Sequence, residues 1–82
     1  MTDYEKTKLD VAFRSFTIRN FEKPNDCRNL NQLRYYVREL CLKIEEYDTK
    51  FHYVQEWAYA LLTQYNQKQN SLLLQDFQKT YA

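Results

Sequence analysis

Apolar residues recur at alternating spacings of three and four from Leu30 to Tyr65, and this pattern constrains the fold more than any other feature of the sequence. A 3-4 spacing kept over roughly five heptads places one apolar stripe along a helical surface. We call this set of residues the heptad stripe. Its members are Leu30, Leu33, Val37, Leu40, Ile44, Tyr47, Phe51, Val54, Ala58, Leu61 and Tyr65.

Two structures fit the heptad stripe. The first is a single helix roughly 54 Å long, at a rise of about 1.5 Å per residue. Because a straight helix lets a heptad stripe drift by about 20° per repeat, this helix would have to supercoil around a partner. The second is a pair of shorter helices that break near residues 47–49, with Asp48 as the N-cap of the second helix.

The residues that flank the stripe favour the second structure. A two-stranded coiled coil usually carries charged residues at these positions. Here Tyr36, Cys41, Trp57 and Leu62 widen the apolar face instead, as in a bundle whose helices pack against several neighbours. The sequence therefore predicts a break near residue 48.

The absence of glycine points to an all-α fold. The 82 residues contain no glycine and one proline, Pro24. Tight β-hairpin turns depend on glycine, whereas this chain is rich in residues that favour helices. We therefore expect one helical domain over residues 1–82. It is a small three- to four-helix bundle or a helical hairpin, with an intertwined dimer as the alternative form.

Capping residues set the expected helix boundaries. Thr2 followed by Glu5 is a capping-box pattern, and Asn29 or Asn31 can cap the second helix. Ser71 can cap a short last helix. The expected helices are residues 3–21, 30–47, 49–68 and 72–81.

The first helix is predicted to bury one apolar face. Leu9, Phe13 and Phe16 lie on that face at helical spacing, and Val11 and Ile18 widen it. The segment also alternates like a strand, but the alternation loses phase between Phe13 and Phe16. We expect the core to contain Leu9, Phe13, Phe16, Leu33, Val37, Leu40, Ile44, Phe51, Val54, Ala58 and Leu61. The last helix adds Leu72, Leu73, Phe77 and Tyr81 on its apolar side.

Charge and cysteine content bound the partners and the compartment. The formal net charge of +1 gives no global attraction to nucleic acid or membranes, and no apolar run approaches a membrane span. Acidic residues interrupt the start of the chain, where a secretory signal would be apolar. We expect a cytoplasmic protein with reduced thiols, in which Cys41 is a core residue and Cys27 is exposed. A Cys27–Cys41 disulfide is the less favoured alternative.

One row of side chains could bind a metal. Asp48, His52 and Glu56 are one helical turn apart and would line one face of a continuous helix. Such rows are common on solvated faces, and as a general base His52 would need both an orienting partner and an acid or nucleophile. We therefore predict no catalytic, metal or cofactor site, and a protein that is not an enzyme.

Basic residues gather in the first half of the chain and suggest one alternative function. Basic side chains bind phosphates, and aromatic faces such as those of Tyr35 and Tyr36 stack on exposed bases. Acidic residues are mixed among them, which weakens the pattern. The nucleic-acid candidates are Arg14, Arg19, Lys23, Arg28, Arg34 and Arg38.

Aromatic residues beside the stripe favour a different function. Aromatic side chains are enriched where proteins bind one another, although they can also cover the edges of a small core. The sequence therefore predicts a non-enzymatic interaction or regulatory protein. Its expected partners are a second copy of itself, as a homodimer, and an unidentified protein. The partner-binding candidates are Tyr35, Tyr36, Tyr53, Trp57 and Tyr59.

One stretch resembles a known family. With a one-residue gap, it is similar to the middle of the cyanobacterial fluorescence recovery protein family of dimeric helical regulators. The family's tryptophan and a later arginine fall on Asn31 and Cys41 here, so no functional residue is carried over. The matching positions are Leu30, Gln32, Leu33, Ile44, Tyr47, Asp48, Lys50 and Phe51.

Overall fold

A computed structural model describes the backbone of residues 2–81 and the side chains of residues 2–75. Over residues 2–81 it contains three helices and no strand, which confirms the prediction of an all-α fold. The helices are α1 (Asp3–Asn20), α2 (Leu30–Phe51) and α3 (Glu56–Tyr81). α2 and α3 form an antiparallel hairpin, and α1 packs against it through aromatic side chains. The molecule is elongated, with extents of 55 × 21 × 16 Å.

Side-chain caps begin the first two helices. The Thr2 hydroxyl accepts a hydrogen bond from the backbone N–H of Glu5, at 3.2 Å, so the expected cap is present. The Asn29 side chain accepts a hydrogen bond from the N–H of Gln32, at 3.1 Å, which identifies Asn29 rather than Asn31 as the cap of α2. Both caps satisfy N–H groups that have no partner within the helix.

The predicted break in the heptad stripe is present, but it lies four residues later than expected. α2 continues to Phe51, and its cap residue His52 adopts the left-handed conformation with φ 51° and ψ 35°. Asp48 does not begin a helix, because its carbonyl oxygen accepts the hydrogen bond from the His52 N–H.

The third helix is longer than predicted. α3 runs without interruption through Ser71, so the expected end at residue 68 and the separate helix over 72–81 are wrong. The polar segment 64–70 contains glutamine and lysine, which favour helices, and no glycine or proline. Its polarity reflects solvent exposure and does not mark a boundary. The predicted apolar side chains of Phe77 and Tyr81 lie outside the described residues.

The heptad stripe supplies most of the core, as predicted. Phe13, Leu33, Leu40 and Ala58 are fully buried, and Ile44 is nearly so. Phe51 is 38% exposed at the end of α2, so its place in the predicted core is wrong. The remaining predicted core residues are half-buried: Leu9, Phe16, Val37, Val54 and Leu61.

Three tyrosines enlarge this core. Tyr36, Tyr47 and Tyr65 are 3%, 6% and 2% exposed, and their rings fill the space between the helices. Tyr36 was expected on a partner-binding surface, and that expectation is wrong. It lies one turn from Leu33 and Leu40 on the inner side of α2, where a large ring can reach α3.

The two cysteines exchange their predicted environments. Cys27 is buried in the α1–α2 loop, whereas Cys41 is exposed on α2, and both are free thiols. Cys41 follows Leu40 directly, and a step of about 100° around the helix turns it away from α3. The Cys27 thiol contacts the carbonyl oxygen of Asn29 at 3.7 Å, and burial raises the pKa of this thiol.

Along the described helices, none is both long and apolar enough to cross a bilayer.

Leu40 and Leu42 provide a matched test of this core. Leu40 is fully buried and Leu42 is 51% exposed, two residues apart on α2. We expect Leu40→Ala to lower the free energy of unfolding by about 2–5 kcal/mol, because it removes buried methyl groups and leaves a cavity. Leu42→Ala should change it by less than about 0.5 kcal/mol. Urea unfolding followed by circular dichroism measures both, and equal effects would contradict the assignment.

Candidate functional site

Two adjoining cavities form a groove between α1 and α3. Their volumes are about 320 and 200 Å³, and both are lined by Thr17, Ile18 and Leu61. A polar cavity of about 420 Å³ continues along α3 towards Ser71. We call the whole depression, from Trp57 to Ser71, the α1–α3 groove. It follows α3 for about 21 Å at the helical rise per residue.

The outer side of α1 borders this groove with exposed apolar side chains. Tyr4, Val11 and Ile18 are 76%, 58% and 79% exposed, and they are seven residues apart. The expectation that Val11 and Ile18 widen the buried face is therefore wrong. Phe13 points inward, and Val11, two residues before it, and Ile18, five residues after it, lie roughly opposite to it at about 100° per residue around the helix. Ile18 overhangs the groove, while Tyr4 and Val11 extend the apolar surface along α1.

Trp57 closes one end of the groove and is fixed from two sides. Its indole N–H donates a hydrogen bond to the Asp10 carboxylate, and Arg14 donates a second one to the same carboxylate at 2.9 Å. The Arg14 guanidinium also lies 4.7 Å from the centre of the indole ring. Phe13 packs edge-on against the ring, with centroids 5.0 Å apart. The Trp57 side chain is therefore held in place with one edge left towards the groove.

Tyr65 forms the wall further along the groove. Its hydroxyl donates a hydrogen bond to the carbonyl oxygen of Glu22, which ties α3 to the loop after α1. Phe21 packs between Tyr36 and Tyr65, with ring centroids 4.9 and 6.1 Å away. Burial, followed by the nearby Tyr36, Cys27 and Glu22, raises the pKa of Tyr65 to about 12. The middle of the groove, around Tyr65, is therefore mainly apolar.

The aromatic residues predicted to bind a partner do not form one surface. Trp57 lines the groove, whereas Tyr59 lies two residues further and is 51% exposed on another side of α3. Tyr53 is half-buried beneath Lys6, whose amine lies 5.4 Å from the ring centre. Tyr35 is 50% exposed on α2. Only Trp57 of this set belongs to the groove.

The six basic candidates for nucleic-acid binding are all exposed but lie on different parts of the molecule. Arg14 is held by Asp10 and Trp57, and Lys23 lines the groove. Arg34 and Arg38 are one turn apart on the outer side of α2. Arg19 ends α1, and Arg28 follows in the loop.

The row of Asp48, His52 and Glu56 does not form on one helical face. His52 leaves the helix in the left-handed conformation, and Glu56 begins α3 after the turn. Among residues 2–75, no group of three or more histidine, cysteine or acidic side chains is close enough to hold a metal ion.

Sequence reasoning missed the residues that form the groove. The seven-residue spacing of Tyr4, Val11 and Ile18 was visible, but it is compatible with a buried or an exposed stripe. Leu61 was predicted to be a core residue. It is half-buried, because it lies between the core and the groove. The deciding fact is that α1 uses Phe13 to reach the hairpin, which only the structure gives.

Comparison with protein-family models, with curated proteins and with solved structures finds no match to this chain.

The buried hydroxyl of Tyr65 predicts a pH dependence. A tyrosine pKa raised from 10 to about 12 means that the folded state disfavours the ionised form. The stabilisation is complete below about pH 10 and is lost as the pH rises towards 12, because the unfolded chain then ionises more readily. Tyr65→Phe cannot ionise, so its unfolding free energy should fall by about 2 kcal/mol less over that range. Urea unfolding at several alkaline pH values tests this. Tyr59→Phe, at an exposed position, should behave like the original protein; if both variants do, the assignment is wrong.

Proposed function

We propose that this protein is a non-enzymatic interaction or regulatory protein that binds an amphipathic helix of a partner protein in the α1–α3 groove. The observation that carries this proposal is the apolar side of the groove, with Ile18 79% exposed above Leu61. An exposed contiguous apolar surface on a small domain commonly marks a binding site.

The shape of the groove suits a helix. Two neighbouring helices leave a furrow into which a further helix packs, as in helical bundles. The groove follows about 21 Å of α3, which corresponds to about 14 residues of a bound helix. Helix-in-groove recognition uses apolar anchors at spacings of three and four, and here Trp57, Ile18 and Tyr65 offer successive apolar contacts.

The charges around the groove define the partner further. Arg14, Lys23 and Lys68 line its three cavities, against one acidic residue, Glu22. Arg14 is partly neutralised by Asp10, so Lys23 and Lys68 carry most of the remaining positive charge. A helix with acidic residues beside its apolar stripe complements this pattern, because opposite charges favour encounter and orientation.

A second copy of the chain is the other proposed partner. The heptad stripe keeps its phase from α2 into α3, as expected of a helix that can pair along its whole length. This self-association uses the inner faces of α2 and α3 and leaves the exposed Ile18 side chain outside the interface.

A designed peptide tests the groove directly. The probe is an 18-residue helix with leucines at the a and d positions and glutamates beside them; the comparison peptide carries lysines instead. Trp57 is the only tryptophan and lines the groove, so its fluorescence reports binding. We expect a saturable shift of the Trp57 emission with the acidic peptide. The basic peptide should bind at least ~10-fold more weakly, which is a difference of about 1.4 kcal/mol in binding free energy.

Two exposed positions provide the variants for this titration. Ile18→Asp places a charge above the groove and should abolish the shift. Leu42→Asp makes the same kind of change on α2, away from the groove, and should leave it unchanged. Absence of any saturable shift, or equal loss in both variants, would exclude the groove as the binding site.

Nucleic-acid binding is retained as the alternative because the basic candidates are exposed and Tyr35 lies beside Arg34 and near Arg38. This hypothesis predicts retention on a heparin column that weakens steeply with salt. Arg38→Glu should elute at clearly lower salt than the original protein, whereas Lys8→Glu, an equal charge change outside the candidate set, should shift less. No retention at low salt, or equal shifts in both variants, would rule the alternative out.

A further inference from the structure

The turn between α2 and α3 lacks the residues that usually form turns. His52 adopts a positive φ of 51°, a conformation that costs residues with a Cβ atom and that glycine usually supplies at a helix end. Residues 52–55 contain no glycine, proline, asparagine or aspartate. The α1–α2 loop, in contrast, contains Pro24, Asn25 and Asp26, which suit turns. The residues of the α1–α2 loop therefore favour a turn, whereas residues 52–55 do not.

Gln55 adds a second unfavourable feature to the turn. Its side chain is 3% exposed, and neither the nitrogen nor the oxygen of its amide has a hydrogen-bond partner among the described residues. A buried amide without a partner destabilises the conformation that buries it. If residues 52–55 joined the two helices into one, His52 would have an ordinary helical φ and Gln55 would no longer be confined by the turn.

The heptad stripe crosses the turn without losing phase. Tyr47, Phe51, Val54 and Ala58 keep spacings of four, three and four, although Val54 lies in the turn itself. A hairpin does not require the 3-4 spacing to continue from α2 into α3, because the chain reverses its direction at the turn. A continuous helix requires it. Phe51, the member of the stripe that the hairpin leaves 38% exposed, stands next to the turn.

We propose that the turn at residues 52–55 opens, that α2 and α3 join into one helix, and that two copies exchange α3 to form a domain-swapped dimer. In it, α2 of each copy packs against α3 of the other. The hairpin contacts recur between the copies, so the closed and swapped forms differ mainly at the turn. This inference rests on the proposed self-association and is independent of the groove.

The hairpin pairing fixes the centre of the dimer. Tyr36 of α2 lies against Tyr65 of α3, with ring centroids 5.6 Å apart. Midway between them in sequence are Lys50 and Phe51, so the two-fold axis passes there. The two Phe51 rings would then meet at the axis and lose their exposure. Phe13, which contacts Tyr47 and Trp57 in the closed form, would contact Tyr47 of its own copy and Trp57 of the other.

Substitutions at His52 test the proposal. Glycine accepts a positive φ and disfavours the continuous helix, whereas alanine does the reverse. Each dimer contains the substitution twice. We therefore expect the dimer dissociation constant of His52→Ala to be lower than that of His52→Gly by on the order of 1,000-fold. Light scattering on a sizing column, over a range of concentrations, measures both. Gln55→Leu removes the unpaired amide and should shift the full-length chain towards the monomer.

A distance measurement separates a swapped dimer from a side-by-side one. A spin label on the exposed Cys41 should give an inter-copy distance of roughly 30 Å, twice the helical rise from Cys41 to the two-fold axis. Ile18→Asp should leave this dimer intact while abolishing peptide binding. A strictly monomeric His52→Ala protein, equal dissociation constants for the alanine and glycine variants, or a dimer that Ile18→Asp dissolves would each overturn the proposal.

Discussion

The insertion of Phe13 between Tyr47 and Trp57 holds the molecule together. The ring is fully buried, with centroid distances of 4.8 Å to Tyr47 on α2 and 5.0 Å to Trp57 on α3. α1 therefore contacts both helices of the hairpin through one side chain. Large rings keep its backbone at a distance from α2 and α3, and the α1–α3 groove occupies the space beside this contact. Tilted and edge-on ring pairs of this kind add to the apolar burial.

Cationic and polar groups around these rings orient α1. The Lys43 amine lies 4.7 Å from the Phe16 ring centre, and Arg14 and Trp57 share the Asp10 carboxylate. Each interaction is partly solvated and weak by itself. Together they distinguish the observed rotation of α1 from one that buries Ile18. The exposed stripe on α1 is thus the consequence of a preference for aromatic contacts on its other side.

The sequence predicted which segments are helical better than where each helix ends or which side of it contacts the other helices. Heptad spacing identified Leu33, Leu40, Ile44 and Ala58 as core residues, because burial of one face is what such spacing records. It did not locate the turn, since the stripe continues through it and residues 52–55 contain no glycine or proline.

The side of α1 that faces the hairpin was equally hidden. Phe13 and Val11 both fit an apolar face, and only the available space beside Tyr47 and Trp57 selects Phe13. The groove was missed for the same reason, because it is a shape made by three helices and not a motif in one of them. The interleaved tyrosines mark surface in some positions and core in others, and their sequence neighbours do not say which.

The unequal burial of the two cysteines allows opening of the α1–α2 loop to be measured within one molecule. Cys41 is open to solvent, whereas Cys27 is 1% exposed within the α1–α2 loop, which Tyr65 ties to α3. A thiol reagent modifies Cys41 in the folded molecule but reaches Cys27 only when that loop lifts. When closing is fast compared with modification, the ratio of the two rates approximates the fraction of time that the loop is open. Cys27 therefore reports the opening of the loop, and Cys41 of the same molecule gives the reference rate.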